Sequence, residues 1–535
     1  MHENLLLILG LLFSVFFLVM LAQRIKIAYP IFLVVAGLAI SFIPGIPKLA
    51  LDPEVIFLIF LPPLLYEAAW YTSWKDFWKW KRAISLLAFG LVFFTSTMVA
   101  YASVSIIPGF TLALGFLLGG IISPPDAVAA ATVLKGMKVP KRILTILEGE
   151  SLVNDASSLI VFRFALAAVI TGAFSFQQAT GQFFLVAGMG IVVGLVGAHI
   201  MYFVHRFLPT TPAIDAALTV MTPYMLFLAA EGFHFSGVMA VVSGGLFISY
   251  RSHEIFTTGI TRLNMLGVWT TLIFVMNALV FILIGLSLPE IIAGLGEHSV
   301  KDGIIYGTYI SIIAITLRFL WVYPATHIPR LLFKSVRKEA NPGWKGPLIV
   351  SWAGMRGVVS LATALSIPIL MTNGQAFPFR NLIIFITFVV IFITLVIQGL
   401  TLPLIIKLIG IEEIDDLVSE DEQQAGIKLR MSRVALGVID RNYPEAAAEN
   451  ELIGFLKKDL EDDLQSNSKR LASLECDETE HQEIEFYKQV LSEIHHKQRH
   501  ELFLLRKEKI YSDEEIRKAE MQLDLDEMKI NGSIH

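Results

Sequence analysis

Cysteine is almost absent from the chain. Cys476 stands alone among 535 residues, so no intrachain disulfide can form. Charge is scarce as well: Asp, Glu, Lys and Arg make up 17% of the residues, against about 25% in an ordinary soluble domain. With 55% hydrophobic residues and a mean hydropathy of +0.65, the composition is that of a polytopic membrane protein. The formal net charge of -5 leaves no basic excess to bind phosphate, which excludes a nucleic-acid partner. The opening stretch MHENLLLILGLLFSVFFLVMLAQRIK has neither a basic leading region nor a small-residue cleavage site, so it is expected to be a retained first span. No Walker-type phosphate loop is present, and ATP-driven pumping has no support.

What the chain does have is long apolar runs. About thirteen are long enough to cross ~30 Å of hydrocarbon: 5–22, 28–45, 54–72, 84–107, 111–134, 143–170, 183–207, 213–231, 236–250, 266–287, 304–328, 347–371 and 381–408. If the N-terminus is outside and the spans alternate, about eighteen Lys and Arg fall in inner loops. Only Lys48, Lys301 and Arg380 fall in outer ones. This asymmetry obeys the positive-inside rule and places the C-terminus in the cytoplasm. Near residue 411 the composition turns abruptly polar, beginning IEEIDDLVSEDEQQ. The division is therefore a transmembrane domain over 1–410 and a cytoplasmic helical, regulatory tail over 411–535. His496 and His500 in the tail have an i, i+4 spacing that suits a metal. With no other ligand nearby, a solvated helix face is the stronger reading of that pair.

Two spans carry interruptions. The fifth reads GFLLGGIISPPDAVAAATVLK, with Pro124, Pro125 and Asp126 near its middle. Adjacent prolines remove amide donors and break the preceding turn. The twelfth reads IVSWAGMRGVVSLATALSIP, with Gly354, Arg356 and Gly357 in the comparable place. Paired interruptions in corresponding halves point to a midplane transport site between inverted repeats, with freed carbonyls for a cation and freed amides for an anion. Two simply kinked helices are the alternative. Kinks alone would not need Asp126 and Arg356.

The sixth span holds ESLVNDASSLIVFR, residues 150–163. A charge near the bilayer centre costs roughly 2.5–3.5 kcal/mol on insertion scales, so these polar groups need a reason. At 100° per residue Ser151 and Asp155 lie about 40° apart, as do Glu150 and Asn154, whereas Glu150 and Asp155 are about 140° apart. One face thus offers hydroxyl and carboxylate oxygens, ligands suited to a hard cation. Glu150 faces elsewhere and needs a positive partner, for which Arg318, Arg163 and Arg356 are candidates. A purely structural ion pair is the favoured reading for Glu150 and the disfavoured one for Asp155. Glu67, in FLPPLLYEAAW of the third span, either lines the ion route or sits near the interface.

Together these stretches resemble the NhaP and eukaryotic sodium–proton exchanger branch of the monovalent cation/proton antiporters. The resemblance covers about residues 5–410, through LPPLLYEAAW, SPPDAVAAATVLK, EGESLVNDASSLIVFR, LTVMTPYMLFLAAEGFHFSGVMAVVSGGL, LRFLWVY, GMRG and VIQGLTLPLI. It implies an all-α antiporter fold of thirteen spans, with spans 1–6 and 8–13 as inverted repeats and crossed, broken helices 5 and 12. It also implies a mobile core beside a dimerisation subdomain, a homodimer in the cell membrane, and an elevator-like movement. Asp155 corresponds to the family's cation- and proton-binding aspartate, and Asn154 precedes it where an electrogenic branch has a second aspartate. Ser151 corresponds to an ion-coordinating serine, Glu150 and Arg318 to a structural pair, and Asp126 and Arg356 to the charges at the breaks. The family often has Thr-Asp-Pro where this chain has Pro125-Asp126-Ala127. At Pro125 only the backbone carbonyl can serve the ion.

The expected activity is electroneutral exchange of Na⁺ for H⁺, with Li⁺ or K⁺ as alternatives and no cofactor. A cation channel is the runner-up, although neither a filter nor a charged ring is evident. An intramembrane hydrolase would need Ser157 or Ser158 with His199 or His205, and is the remotest reading.

Overall fold

In a computed structural model the chain is described over residues 2–43, 53–134, 137, 139–172, 176–256, 258–295, 299–337, 339–371, 374–411 and 420–473, and at isolated positions between 490 and 523. His496 and Cys476 lie outside the described residues. The chain divides into two compact units, Met1–Asp415 and Asp416–His535. Among the described residues there is no strand, only a single bridge between Leu370 and Ala376.

Besides two short helices, Leu288–Ala293 and Lys334–Arg337, the first unit contains among the described residues thirteen helical elements that follow the apolar runs in order. They are α1 (His2–Arg24), α2 (Tyr29–Ser41), α3 (Pro53–Tyr71), α4 (Trp74–Ile106), α5 in two halves (Leu112–Ile122 and Ala127–Leu134), α6 (Lys141–Thr171) and α7 (Phe176–Phe207). Then come α8 (Pro212–Gly232), α9 (Gly237–Ile255), α10 (Gly259–Leu286), α11 (Val300–Leu332), α12 in two halves (Lys345–Trp352 and Val358–Leu365) and α13 (Arg380–Ile409). Among the described residues seven helices, those of α4, α6, α7, α8, α10, α11 and α13, are long and apolar enough to cross a bilayer unaided. The halves of α5 and α12 are each too short to do so, because the breaks divide them. α9 ends in Arg251, His253 and Glu254, which lowers its hydropathy.

Local chemistry sets the ends. Thr111, Thr211, Ser236 and Thr258 each accept a backbone N–H from the first turn of the following helix, satisfying an orphan donor. Left-handed Gly172 and Gly410, with φ of +70° and +55°, end α6 and α13. Several boundaries differ from the sequence reading, and two of the differences have a clear residue signal. The amphipathic WKDFWKWKR joins the start of α4, and the second half of α12 stops at Leu365, before Pro368.

The apolar core is not one mass. The largest buried cluster joins α1, α2, α4, α5, α6, α10, α11, α12 and α13 around residues such as Leu33, Leu117, Phe281 and Ile383. A second joins α3, α8, α9 and α10 around Tyr66, Phe227, Val241 and Trp269, and a third lies between α7, α8, α9 and α10. Helix α6 serves both of the first two: Ile143, Leu147 and Ala165 enter one, while Leu152 and Ala156 enter the other.

In the second unit, α14 (Glu420–Asn442) and α16 (Glu451–Ser473) pack together on either side of a short α15 (Pro444–Glu449), with Lys457 bonded to Asp440 at 2.8 Å.

Candidate functional site

The two helix breaks meet. The backbone N–H of Asp126 donates to the carbonyl of Met355 at 2.7 Å, so the interrupted stretches of α5 and α12 complete each other's hydrogen bonding. Asp126 begins the second half of α5, its Oδ1 accepting the Val128 N–H at 2.8 Å as an N-cap carboxylate does. Arg356 spans the crossing. Its Nε donates to the Ile122 carbonyl at 2.7 Å, its Nη1 to the Gly354 carbonyl, and its backbone N–H to Thr394 Oγ1 at 3.1 Å. A half-helix that ends in the apolar interior leaves bare carbonyls, and the guanidinium satisfies one from each break.

The two glycines of GMRG are sterically required. A Cβ at Gly354 would collide with the Arg318 side chain, and one at Gly357 would fall on the Asp126 carboxylate. The sequence signal of a glycine-kinked helix is thus a signal of close approach.

Helix α6 crosses this region with its polar residues. Asn154 is fully buried and its Nδ2 donates to the Pro125 carbonyl at 3.0 Å, while its Oδ1 has no hydrogen-bond partner among the described residues. Asp155 is 7% exposed, and among the described residues its carboxylate has neither a hydrogen bond nor an ion pair. Ser151 is half-buried one turn earlier on the same helix. By contrast, Glu150 is fully paired: its two oxygens accept from Arg318 Nη1 and Nη2 at 2.6 and 2.7 Å, with both side chains 1% exposed. Arg318 Nε adds a bond to the Val350 carbonyl at 3.1 Å, beside the α12 break. Of the three cations that could have faced Glu150, the fold selects Arg318. Arg356 is spent on the crossing, and Arg163 reaches Glu231 instead.

Glu67 is not brought to the crossing by any bond. It lies half-buried on α3 and lines a cavity of about 300 Å³ with Trp70, Tyr71, His253, Arg262 and Trp269. None of the other predicted site residues lines that cavity. Ser157 donates to the carbonyls of Ala88 and Asn154, and Ser158 to that of Asp155. His199 and His205 bond elsewhere, to the Leu195 carbonyl and to Asp215, so neither serine faces a histidine base. No cluster of three His, Cys, Asp or Glu able to hold a resident metal occurs among the described residues.

Sequence reasoning missed two contributors. Thr394 accepts from the Arg356 N–H and lies in a π-helical segment, Thr394–Gln398, within α13. A second such segment, Leu86–Leu91 within α4, accepts Ser157 at Ala88 and Trp321 at Leu86. A wider turn leaves carbonyls open to side chains, and no residue pattern announces it.

A family model described as sodium/hydrogen exchanger, transmembrane, matches residues 11–408. The chain belongs to this family. This family member is 34% identical over 395 residues to the sodium, potassium, lithium and rubidium/H⁺ antiporter of Bacillus pumilus, a match covering 71% of the chain and 58% of that protein. It therefore spans under two thirds of that relative's length. It is 32% identical over 388 residues to the Na⁺/H⁺ antiporter ApNhaP of Aphanothece halophytica, covering 72% of the chain and 70% of the relative. Its fold is similar to that of the sodium proton antiporter MjNhaP1 of Methanocaldococcus jannaschii. The TM-score is 0.58 at 19% identity, over 74% of this chain and 99% of the other. The family member is thus an all-helical, multi-pass membrane protein with the antiporter fold.

Proposed function

We propose that the chain is a secondary active transporter that exchanges Na⁺, with Li⁺ and K⁺ as alternatives, for H⁺, and that Asp155 carries both. The observation that carries this reading is the state of the buried carboxylates. Glu150 is neutralised by Arg318 and Asp126 caps a helix, while Asp155 is buried with no hydrogen-bond or ion-pair partner among the described residues. A buried unpaired carboxylate is costly, and a proton or a bound cation each removes that cost. Since both use the same oxygens they exclude one another, and the empty charged site crosses the membrane poorly. That exclusion couples opposite fluxes. The unpartnered Asn154 Oδ1, a second lone pair of the Pro125 carbonyl, and Ser151 supply further oxygen donors for a hard monovalent ion. Glu67 lines the approach, through its cavity on α3.

Asn154 is neutral, so trading one H⁺ for one Na⁺ at Asp155 moves no net charge, and exchange is electroneutral. The Bacillus and Aphanothece relatives are antiporters by name, and a transporter without enzymatic activity accords with serines committed to backbone carbonyls. The protein sits in the cell membrane as a homodimer, N-terminus outside and C-terminus cytoplasmic. The core that bears the breaks moves against the dimerisation subdomain, and the tail regulates. Proton-coupled flux in liposomes, with Na⁺, K⁺ and Li⁺ compared at several pH values, tests the reading. Ion movement without obligatory proton counterflow would instead indicate a channel.

A further inference from the structure

The strip of α6 that faces the second apolar cluster runs Leu152, Ala156, Leu159, and its next member by spacing is Arg163. These four positions fall within about 60° of one another on the helix wheel. Leu152 and Ala156 are buried in that cluster, and Leu159 packs against it. Arg163 Nη2 then bonds both carboxylate oxygens of Glu231, each at 2.8 Å. Glu231 ends α8, and its Oε1 also accepts the Gly237 N–H at the start of α9, at 3.2 Å. The acid is thus held by the turn that joins α8 to α9. Helix α6 packs chiefly on α4 and α5, and α8 on α7, α9 and α10, so this ion pair ties two helices whose main neighbours differ and which otherwise share only the second apolar cluster. Asp155 lies on the edge of the same strip, about 40° from Leu159. Arg163 is eight residues farther along, a rise of about 12 Å.

We propose that Arg163 and Glu231, with Leu159 beneath them, form a latch over Asp155. It closes the seam between α6 and α8 at the end of α6 opposite the basic loops. The inference rests on Asp155 being the ion site. In the structure the ion pair is formed, and Asp155 is buried. Opening the seam there requires Glu231 to release Arg163. Both side chains are partly exposed, 47% and 29%, so water can take over their hydrogen bonds when they separate. That makes the latch reversible, unlike the dry Glu150–Arg318 pair.

The test uses the full chain in proteoliposomes, with Cys476→Ser as background and Leu159→Cys as reporter. A membrane-impermeant methanethiosulfonate reagent is added on the outer side, and variant stability is checked by thermal unfolding. Loss of a half-exposed pair shifts such an equilibrium by about two- to fivefold, so Glu231→Gln and Arg163→Gln should speed labelling by that factor. The swap of Arg163→Glu with Glu231→Arg should return it towards the parent rate. Unchanged labelling in folded single variants, or a swap that labels as fast as they do, overturns the latch. A second arm places cysteines at 163 and 231 and joins them with a short bis-methanethiosulfonate linker, each thiol displacing methanesulfinate to form a reducible disulfide. Exchange should stop on linking and resume on reduction, and undiminished exchange in the linked protein overturns the proposal. Labelling reads access and not transport, so failure of the latch is distinguishable from failure of Asp155→Asn to abolish exchange.

Discussion

Asn154 donates its side-chain amide to the Pro125 carbonyl at 3.0 Å, joining the residue before the unpaired aspartate to the break of α5. The bond orients the amide so that its oxygen is left over. Asn154→Ala should leave the Pro125 carbonyl without its donor in the interior, at a cost of about 1–3 kcal/mol. Thermal unfolding in detergent should fall accordingly, and cation affinity in the flux assay should weaken.

Asp155→Asn should abolish exchange while the protein stays folded, because an amide oxygen ligates weakly but cannot trade a proton. In the wild type, protons and cations compete for one carboxylate. Apparent cation affinity should weaken as pH falls, approaching about tenfold per unit once the protonated form dominates. Initial rates at varied cation concentration across a pH series measure this slope. A membrane potential generated by wild-type transport would contradict the one-for-one stoichiometry.

Breaking the Glu150–Arg318 pair should unfold the protein before it affects ion binding. Removing one member of a buried pair leaves the other charge uncompensated, typically at about 3–5 kcal/mol. Glu150→Ala and Arg318→Ala should each lower the unfolding temperature strongly. A Glu150→Ala protein of normal thermal stability that no longer binds cation would reassign Glu150 to the ion path.

Gly357→Ala should cripple exchange although alanine is the smallest possible addition, since its Cβ would occupy the place of the Asp126 carboxylate. Overpacking of this kind costs about 1–3 kcal/mol. Gly188→Ala serves as control, since a Cβ there would meet nothing within 4 Å beyond its chain neighbours and its own helix backbone. Reduced exchange in both variants alike would remove the steric explanation.

Truncation after about residue 415 should retain measurable exchange, with an altered pH dependence where the tail regulates. All residues of the broken-helix crossing precede that point. Flux of a monodisperse truncated protein in liposomes decides the matter, and a folded protein that moved no ions would make the tail part of the path.

Much of this architecture is legible in the sequence, because helix breaks leave chemical traces. Pro124, Pro125, Gly354 and Gly357 each disturb a helix, and charges beside them need a reason in an apolar setting. The helical wheel separates Glu150 from Asp155 correctly, but it cannot say which arginine answers Glu150. That choice is made 168 residues away along the chain, by where α11, packed against α4, α12 and α13, places Arg318. Arg163 remains a candidate by sequence because local spacing says nothing of Glu231. Nor does any composition mark the π-helical turn that presents Thr394 to Arg356. Glu67 shows the opposite limit: its presence is conspicuous, and only packing reveals that its cavity has walls of α3, α9 and α10.

The contact between Gly357 and Asp126 also bears on how this sequence can drift. A side chain at 357 and a carboxylate at 126 exclude each other, although the two positions are 231 residues apart. Neither can change alone without loss, yet a smaller residue at 126 would open room at 357. Variation at these two sites should therefore be epistatic, with substitutions at 357 tolerated only in backgrounds where Asp126 has already been replaced.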